Sequence, residues 1–521
     1  MKKSKIIWSL LAVVIMLVTV TGCKKFLTKE PLTSTLDDLH QGTLEAQSFG
    51  LYNILRTTSG FSELVWLDYN SIRDDDAQKG SSATDGAEVN TEYETFQYSK
   101  DDWAPNTYWN DHYSMISAAN KELYFADSLH ATDAASQKNV GEAHFFRAYA
   151  FFDLVKAYGQ VPLLNFYFTT ASAGIKPKAT VDQIYAQIDA DLDSASRLLP
   201  LNWSVGGNNI YPGRLTKGAA NTLWAQTYLF RQNWTRVISL CNQVILSAQY
   251  SLSPTFSGIF QDGLSGAGKN GSESIFETQN FVTANGVTDN GNHWGTCQQV
   301  RQGGAPLTWN LGWGWNVPTA KLVTAWDNTD PRKASTVLFS GQYDGGSAVG
   351  GYGATLPGYA PGSGLDQPYW NKKVYSDPQM RQFTGEILSN GQARWINHRI
   401  LRYADVLLML AEASNEMNDG PTAADNLEKI RNRASGNLGI GRTIVPTIAF
   451  VDKNQMRTAI KNERRWEFAM EGYRFYDLVR WGDAISELGA LGYTDRAKYY
   501  PIPQKVIDAS GGVLKQNPDW P

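Results

Sequence analysis

Apolar residues recur at three- and four-residue steps in seven blocks of the chain. These are Asp111 to Ser128, Asn139 to Tyr158, Val181 to Leu199, Leu215 to Gln249, Arg399 to Met417, Pro421 to Ala434 and Asn454 to Glu471. Such spacing returns side chains to one face of an α-helix, so each block predicts helix. Two stretches predict helical hairpins of similar build, RLTKGAANTLWAQTYLFRQNWTRVISLCNQVILS (Arg214 to Ser247) and LRYADVLLMLAEASNEMNDGPTAADNLEKIRNRAS (Leu401 to Ser435). Each is about the 34 residues of a tetratricopeptide repeat. Each carries small residues in its first helix where a neighbour must approach: Ala219, Ala220 and Ala225 in one, Ala404, Ala411 and Ala413 in the other. Asn139 to Tyr158 with Val181 to Leu199 makes a candidate third pair. Such pairs cannot bury their apolar faces alone and are expected to stack.

The periodicity lapses between Ser251 and Asn397, where Gly, Asn, Ser and aromatics are dense and strand-like runs such as ESIFETQ are short. A long irregular region within a compact chain is usually functional or disordered, and its tryptophans argue against disorder. The expected fold is therefore mainly α: tetratricopeptide-like pairs over about 111–250 and 399–475 as scaffold, with a loop-rich, partly β insertion over about 251–397. One domain is expected to span 23–521. Within the insertion, TWNLGWGWN (Thr308 to Asn316) packs three tryptophans into seven positions. If extended, Trp309, Leu311, Trp313 and Trp315 share one face, which is either core or a platform for a flat ligand.

The opening MKKSKIIWSLLAVVIMLVTVTGCKK has a basic start and an apolar run, Ile6 to Val20, shorter than the roughly 20 residues that span a bilayer. It fits a secretory signal over 1–22, and Val20-Thr21-Gly22-Cys23 resembles a bacterial lipobox. Lipid on Cys23 would tether the mature domain stably, since two or more chains are needed for that. Losing Lys2, Lys3 and Lys5 takes the formal charge from −4 to −7, which leaves no basic footprint for nucleic acid. Cys241 and Cys297 are the remaining thiols; they allow one disulfide and no disulfide framework. The chain holds 17 Trp and 25 Tyr, enough for both a packed interior and a binding surface.

Catalytic signatures are lacking. GLSGAGKN, Gly263 to Asn270, has phosphate-loop spacing, but Asn270 stands where Ser or Thr would hold magnesium. His40, His112, His130, His144, His293 and His398 are scattered without metal-ligand spacing, and no GxSxG elbow occurs. RDDDAQKG, Arg73 to Gly80, lacks the alternating ligands of a calcium loop and is expected to be a solvated acidic turn. Glu463, Glu467 and Glu471 share a helical face with Arg464, Arg465 and Arg474 nearby, the pattern of a salt-bridged structural face. No cofactor, metal or catalytic residue is expected.

Several longer segments resemble the SusD/RagB family of Bacteroidetes nutrient-binding lipoproteins: YWNDHYSMISAANKEL, GEAHFFRAYAFFDLVKAYGQVPLL, GWGWNVPTAKLVTAWDNTDPR, RYADVLLMLAEASNE, NERRWEFAMEGYRFYDLVRWG and YYPIPQKVIDASGGVLKQNPDW. The resemblance covers nearly the whole chain, from the lipobox to the last residues. It implies four tetratricopeptide-type pairs with a variable loop-rich side. It also implies an outer-membrane, lipid-anchored protein facing the cell exterior that caps a SusC-like TonB-dependent β-barrel transporter. Such a protein captures oligosaccharides, or in some members peptides, for import without chemistry on the ligand. Lys24 and Lys25 after Cys23 depart from the acidic residues that exported lipoproteins of this phylum often carry.

A pyranose offers an apolar C–H face to aromatic rings and a hydroxyl rim to polar side chains. A stacked ring contributes about 0.5–1.5 kcal/mol by analogy with aromatic pairs, and micromolar binding needs about 8 kcal/mol, so a site needs several rings. The candidates are Trp66, Arg73, Asp74, Asp75 and Trp103 toward the N-terminus, Trp294, Trp309 and Trp313 in the insertion, and Tyr369 and Trp370 after GYGATLPGYAPGSGLDQP. The alternatives are a peptide or other nutrient receptor on the same scaffold, a purely structural surface subunit, and a surface glycoside hydrolase, whose carboxylate pair would meet only in space.

Overall fold

Most long helices open on a side chain that takes over a free backbone N–H. In the computed structural model, which describes residues 43–82, 84–205, 208–263, 268–282, 291–301, 309–359, 367–380 and 394–520, Thr43 caps α1 (Leu44–Thr57). A single helical turn, Ser59–Ser62, leads to a second helix, α2 (Leu64–Asn70). Asp102 caps α3 (Trp103–Ser128) and Asp133 caps α4 (Ala134–Tyr158). Thr180 and Gln183 form a reciprocal capping box at α5 (Val181–Leu198). Thr216 and Asn233 cap the hairpin α6 (Lys217–Phe230) and α7 (Trp234–Leu246). The helix α8 (Tyr403–Glu416) is followed by α9 (Gly420–Ala434) and α10 (Lys453–Glu467), capped by Asp419 and Asp452, and by α11 (Arg474–Trp481).

Each helix packs on its neighbour in sequence: α3 on α4, α4 on α5, α5 on α6, α6 on α7, α7 on α8, and α8 on both α9 and α10. The α4 helix is buried almost all round, with Phe145, Phe146, Phe151, Phe152 and Leu154 in the main core, as expected for a central helix. Helix α1, unmarked by the sequence reading, lies across α3 and α4. The fold is mainly α.

The insertion adds two-stranded antiparallel ribbons. β1 (Ala77–Gly80) pairs with β3 (Trp315–Pro318), β2 (Ser274–Glu277) with β6 (Arg399–Arg402), and β4 (Val337–Phe339) with β5 (Tyr369–Asn371). ESIFETQ is thus a strand as expected. Its partner corrects the block from Arg399 to Met417, whose first four residues are strand because they complete the β2 ladder. Asn454 to Glu471 is also shorter as a helix than its pattern: α10 ends at Glu467, before Met470 and Gly472 turn with positive φ.

Five cations, Arg332, Lys373, Arg402, Arg431 and Arg433, interleave with five carboxylates, Glu273, Asp330, Glu463, Glu467 and Glu471, in a buried network. Glu273, Arg332 and Lys373 come from the insertion, and Arg431, Arg433, Glu463 and Glu467 from α9 and α10, so the network stitches insertion to scaffold. Glu463 and Glu467 are salt-bridged as expected, but not to their neighbours in sequence: Arg464 pairs with Asp405 and Asp477, Arg465 with Asp76 and Arg474 with Asp75, because those side chains leave α10 and α11 on other faces. Among the described residues no helix is long and apolar enough to cross a membrane. Cys241 and Cys297 are both free and buried. Cys23 and the leader lie outside the described residues.

Candidate functional site

Most of the aromatic candidates are interior. Trp66 on α2 meets Trp294 edge-on at 5.1 Å and His398 at 4.5 Å, and Trp294 stacks on His398 at 3.8 Å. Trp66 and His398 wall a cavity of only about 80 Å³, below the roughly 300 Å³ of ordinary ligand pockets. Trp309 and Leu311 join Trp370 and Tyr375 in a small separate cluster, and the Trp370 indole donates to Ser340 at 2.9 Å. Trp315 is buried in the main core and Trp313 packs half-buried against it, 4.9 Å from His293. TWNLGWGWN therefore does not present one continuous face: positive φ at Gly314 and Asn316 breaks the extended alternation, sending its two ends to different clusters. Tyr369 is half-buried, edge-on to Phe339.

The polar candidates are interior too. Arg73 is fully buried with its guanidinium 3.5 Å from the Phe475 ring centre and 4.4 Å from that of Tyr500. Asp74 accepts the backbone N–H groups of Asp76 and Ala77. Burial pushes the Asp75 carboxyl up, but Arg474 and Lys321 outweigh it and hold it at about 2. Asp76 pairs with Arg465. RDDDAQKG is thus a buried, ion-paired hinge between α2 and β1, not a solvated turn, because cations from α10 and α11 reach it. Among the tryptophan candidates only Trp103, the first residue of α3, is strongly exposed, at 43%.

A built groove lies elsewhere. One wall is the α1 face carrying Phe49, Tyr52, Asn53 and Arg56, spaced i, i+3, i+4, i+7. The other is the chain leaving β2, Thr278 to Phe281, together with the turn at Lys269 and Asn270 and with Asn209 and Pro212 of the connection between α5 and α6. The groove encloses about 800 Å³, within the range of ligand sites. Phe49 and Phe281 are 44% and 42% exposed, so two flat rings face solvent along it.

Its walls are braced from behind. Tyr52 donates to Glu142 at 2.6 Å and accepts from the Leu215 N–H at 2.7 Å. Glu142 in turn holds Arg214, through Nε at 2.9 Å and Nη2 at 2.7 Å, and that guanidinium sits 5.1 Å from the centre of the Phe49 ring. Asn270 and Gln279 exchange reciprocal amide hydrogen bonds at 2.9 and 3.0 Å. Gly213 has φ +88°, a conformation that strains any other residue, and a Cβ there would meet the Gln279 side chain at 2.3 Å, so glycine lets the α5–α6 connection approach this wall. Fixed rings with amide edges suit a ligand with an apolar face and a hydroxyl rim.

A second cavity, about 320 Å³ between α3 and the C-terminal segment, is lined by Trp109, Tyr113, Phe168, Val506 and Leu514. Its buried amide, Asn120, already donates to the carbonyls of Leu164 and Phe166, so it offers little to a hydroxylated ligand. Trp103 is not part of the groove. Helix rise puts it about 28 Å along α3 from Glu122, on which α1 rests through Ser48. The groove escaped the sequence reading because α1 was unmarked; Leu44, Leu51 and Leu55 behind a Thr43 cap were the available signal. Among the described residues no group of three or more His, Cys, Asp or Glu is placed to hold a metal.

A stack of helical pairs carrying a ribboned, loop-rich insertion and an aromatic groove is the architecture of a binding scaffold. Two family models match the chain, "SusD family" over residues 272–498 and "Starch-binding associating with outer membrane" over 61–229. The chain belongs to the SusD/RagB family. It is 24% identical to SusD-like protein P2 of Formosa agariphila over the full length of both chains. Surface glycan-binding protein A from Bacteroides fluxus has a similar structure, with a TM-score of 0.73 at 23% identity over 92% of this chain and 99% of the other. Surface glycan-binding protein A from Bacteroides thetaiotaomicron, in complex with laminarihexaose, gives a TM-score of 0.70 at 23% identity, covering 91% and 98%. At these identities the likeness to the two solved structures establishes the fold.

Proposed function

We propose that this protein binds oligosaccharides in the groove between α1 and the β2 exit and passes them to a TonB-dependent barrel in the outer membrane, without cleaving them. The observation that carries the reading is the pair of exposed rings, Phe49 and Phe281, set across a groove edged by Asn53, Asn270 and Gln279. Structural relatives described as glycan-binding, one of them holding laminarihexaose, support the ligand class, and the family description supports the outer-membrane location. Lipid on Cys23 would hold the domain at the barrel mouth. Trp103, exposed at the start of α3, is proposed as a separate contact for a longer chain or for the partner.

The reading is tested by titrating the purified protein against a glycan panel and a peptide mixture by calorimetry, with reducing ends assayed in parallel. Saturable binding of one glycan class with no release of reducing ends is expected. Tight peptide binding with no glycan response overturns the ligand class, and sustained release of reducing ends overturns the non-catalytic role.

A further inference from the structure

The groove is lined by two cations and, among its described lining residues, by no carboxylate. The chain carries 47 basic and 51 acidic residues, and many of its buried cations are tied to carboxylates, as in the network of Arg332, Arg402, Arg431 and Arg433. The Arg56 guanidinium donates only to neutral acceptors, the Gly291 carbonyl and the Asn53 amide oxygen, each at 2.9 Å. Lys269 donates to the Asn280 carbonyl. The carboxylates nearest Lys269 in charge interaction are Asp262 and Glu277, and both are engaged by Arg399. The groove therefore holds positive charge that its described walls leave without an ion-pair partner.

Burial pushes the Lys269 ammonium down to about 8, so it is still largely protonated at neutral pH, and an arriving anion would hold it so. Partly desolvated cations gain most from an ionised acceptor, because charge-assisted hydrogen bonds are roughly twice as strong as neutral ones. An uncharged sugar would offer Arg56 and Lys269 only hydroxyl oxygens, no better than the acceptors they already have.

We infer that the groove selects an anionic oligosaccharide, one whose sugar rings lie on Phe49 and Phe281 while a carboxylate or sulfate ester meets Arg56 and Lys269. This rests on the groove being the glycan site. Calorimetry should compare three oligosaccharides of equal length, one neutral, one bearing uronate and one bearing sulfate ester, at low and high salt. At least one acidic ligand is expected to bind tenfold tighter than the neutral one at low salt. That advantage should shrink at high salt, where charges are screened, and the ligand that shows it at low salt identifies carboxylate or sulfate as the anion. Arg56→Gln and Lys269→Gln should each move the acidic-to-neutral ratio toward one, with thermal melting confirming that both fold. Equal affinity for neutral and acidic ligands in the wild type at low salt overturns anion selection. If Phe281→Ala still weakens those ligands, the groove stands and only its charge preference is lost. If Phe49→Ala and Phe281→Ala leave every glycan unaffected, the groove assignment itself fails.

Discussion

Glu467 is the centre of the network that joins insertion to scaffold, and Glu467→Gln removes its charge at nearly constant shape. Its Oε1 accepts from Arg433 at 2.5 Å and from Arg402 at 3.1 Å, and its Oε2 from Arg332 at 3.3 Å. Breaking a buried pair by neutralising one partner costs about 3–5 kcal/mol. The lower end applies here, because each arginine keeps a second carboxylate: Glu273 for Arg402 and Arg433, Glu463 for Arg332. Unfolding entropy of about 2.1 cal/mol/K per residue over 521 residues is about 1 kcal/mol/K. A loss of about 3 kcal/mol then lowers Tm by about 3 °C at pH 7 in scanning calorimetry. Asp193→Asn, which breaks the exposed pair with Arg197, should move Tm by less than about 0.5 °C. Burial opposes ionisation of Glu467, yet Arg433, Arg402 and Arg332 outweigh it and hold its carboxyl far below the usual range. Its stabilisation is thus present above the ordinary carboxylate pKa and lost as pH falls below it, so the gap between wild type and variant should close below about pH 4. Equal melting of Glu467→Gln and wild type at pH 7 would refute the claim that the network holds the halves together.

Other perturbations separate core from surface. Trp294→Ala removes a ring stacked on His398 and should cost about 3–5 kcal/mol, seen as a lower denaturant midpoint. Trp103→Ala, on the surface, should leave the midpoint unchanged and, at about 28 Å from the α1 contact, leave groove binding unchanged too. Burial raises the Glu122 carboxyl to about 8, so the folded state keeps a proton that the unfolded chain has released, and stability falls as pH rises through about 4.5 to 8. Glu122→Gln can still accept from Ser48 and should gain on wild type in Tm between pH 5 and 8.5; a constant difference would contradict this.

The helical scaffold was legible because its signal is local: three- and four-residue spacing from α3 to α10, with Asp or Thr caps at most of their starts. Position in the stack was not, since whether Trp66 or Trp294 faces water depends on His398 and Gly472, far away in sequence. Tryptophans in a loop-rich segment suggested display, but indoles that large are what an irregular insertion needs to build a core without regular elements. The groove failed to show because Phe49 and Phe281 lie 232 positions apart and meet only through the contacts of α1 with the β2 exit. Arg73 and Asp74 had the composition of a site and turned out to be inward-facing joints, a distinction that only burial makes.

The decisive measurement is the oligosaccharide affinity of the double variant Phe49→Ala/Phe281→Ala beside wild type, both checked for equal melting. With each ring contributing about 0.5–1.5 kcal/mol, the pair should weaken binding by about five- to 150-fold. Unchanged affinity in a folded double variant would show that sugar binds somewhere other than this groove.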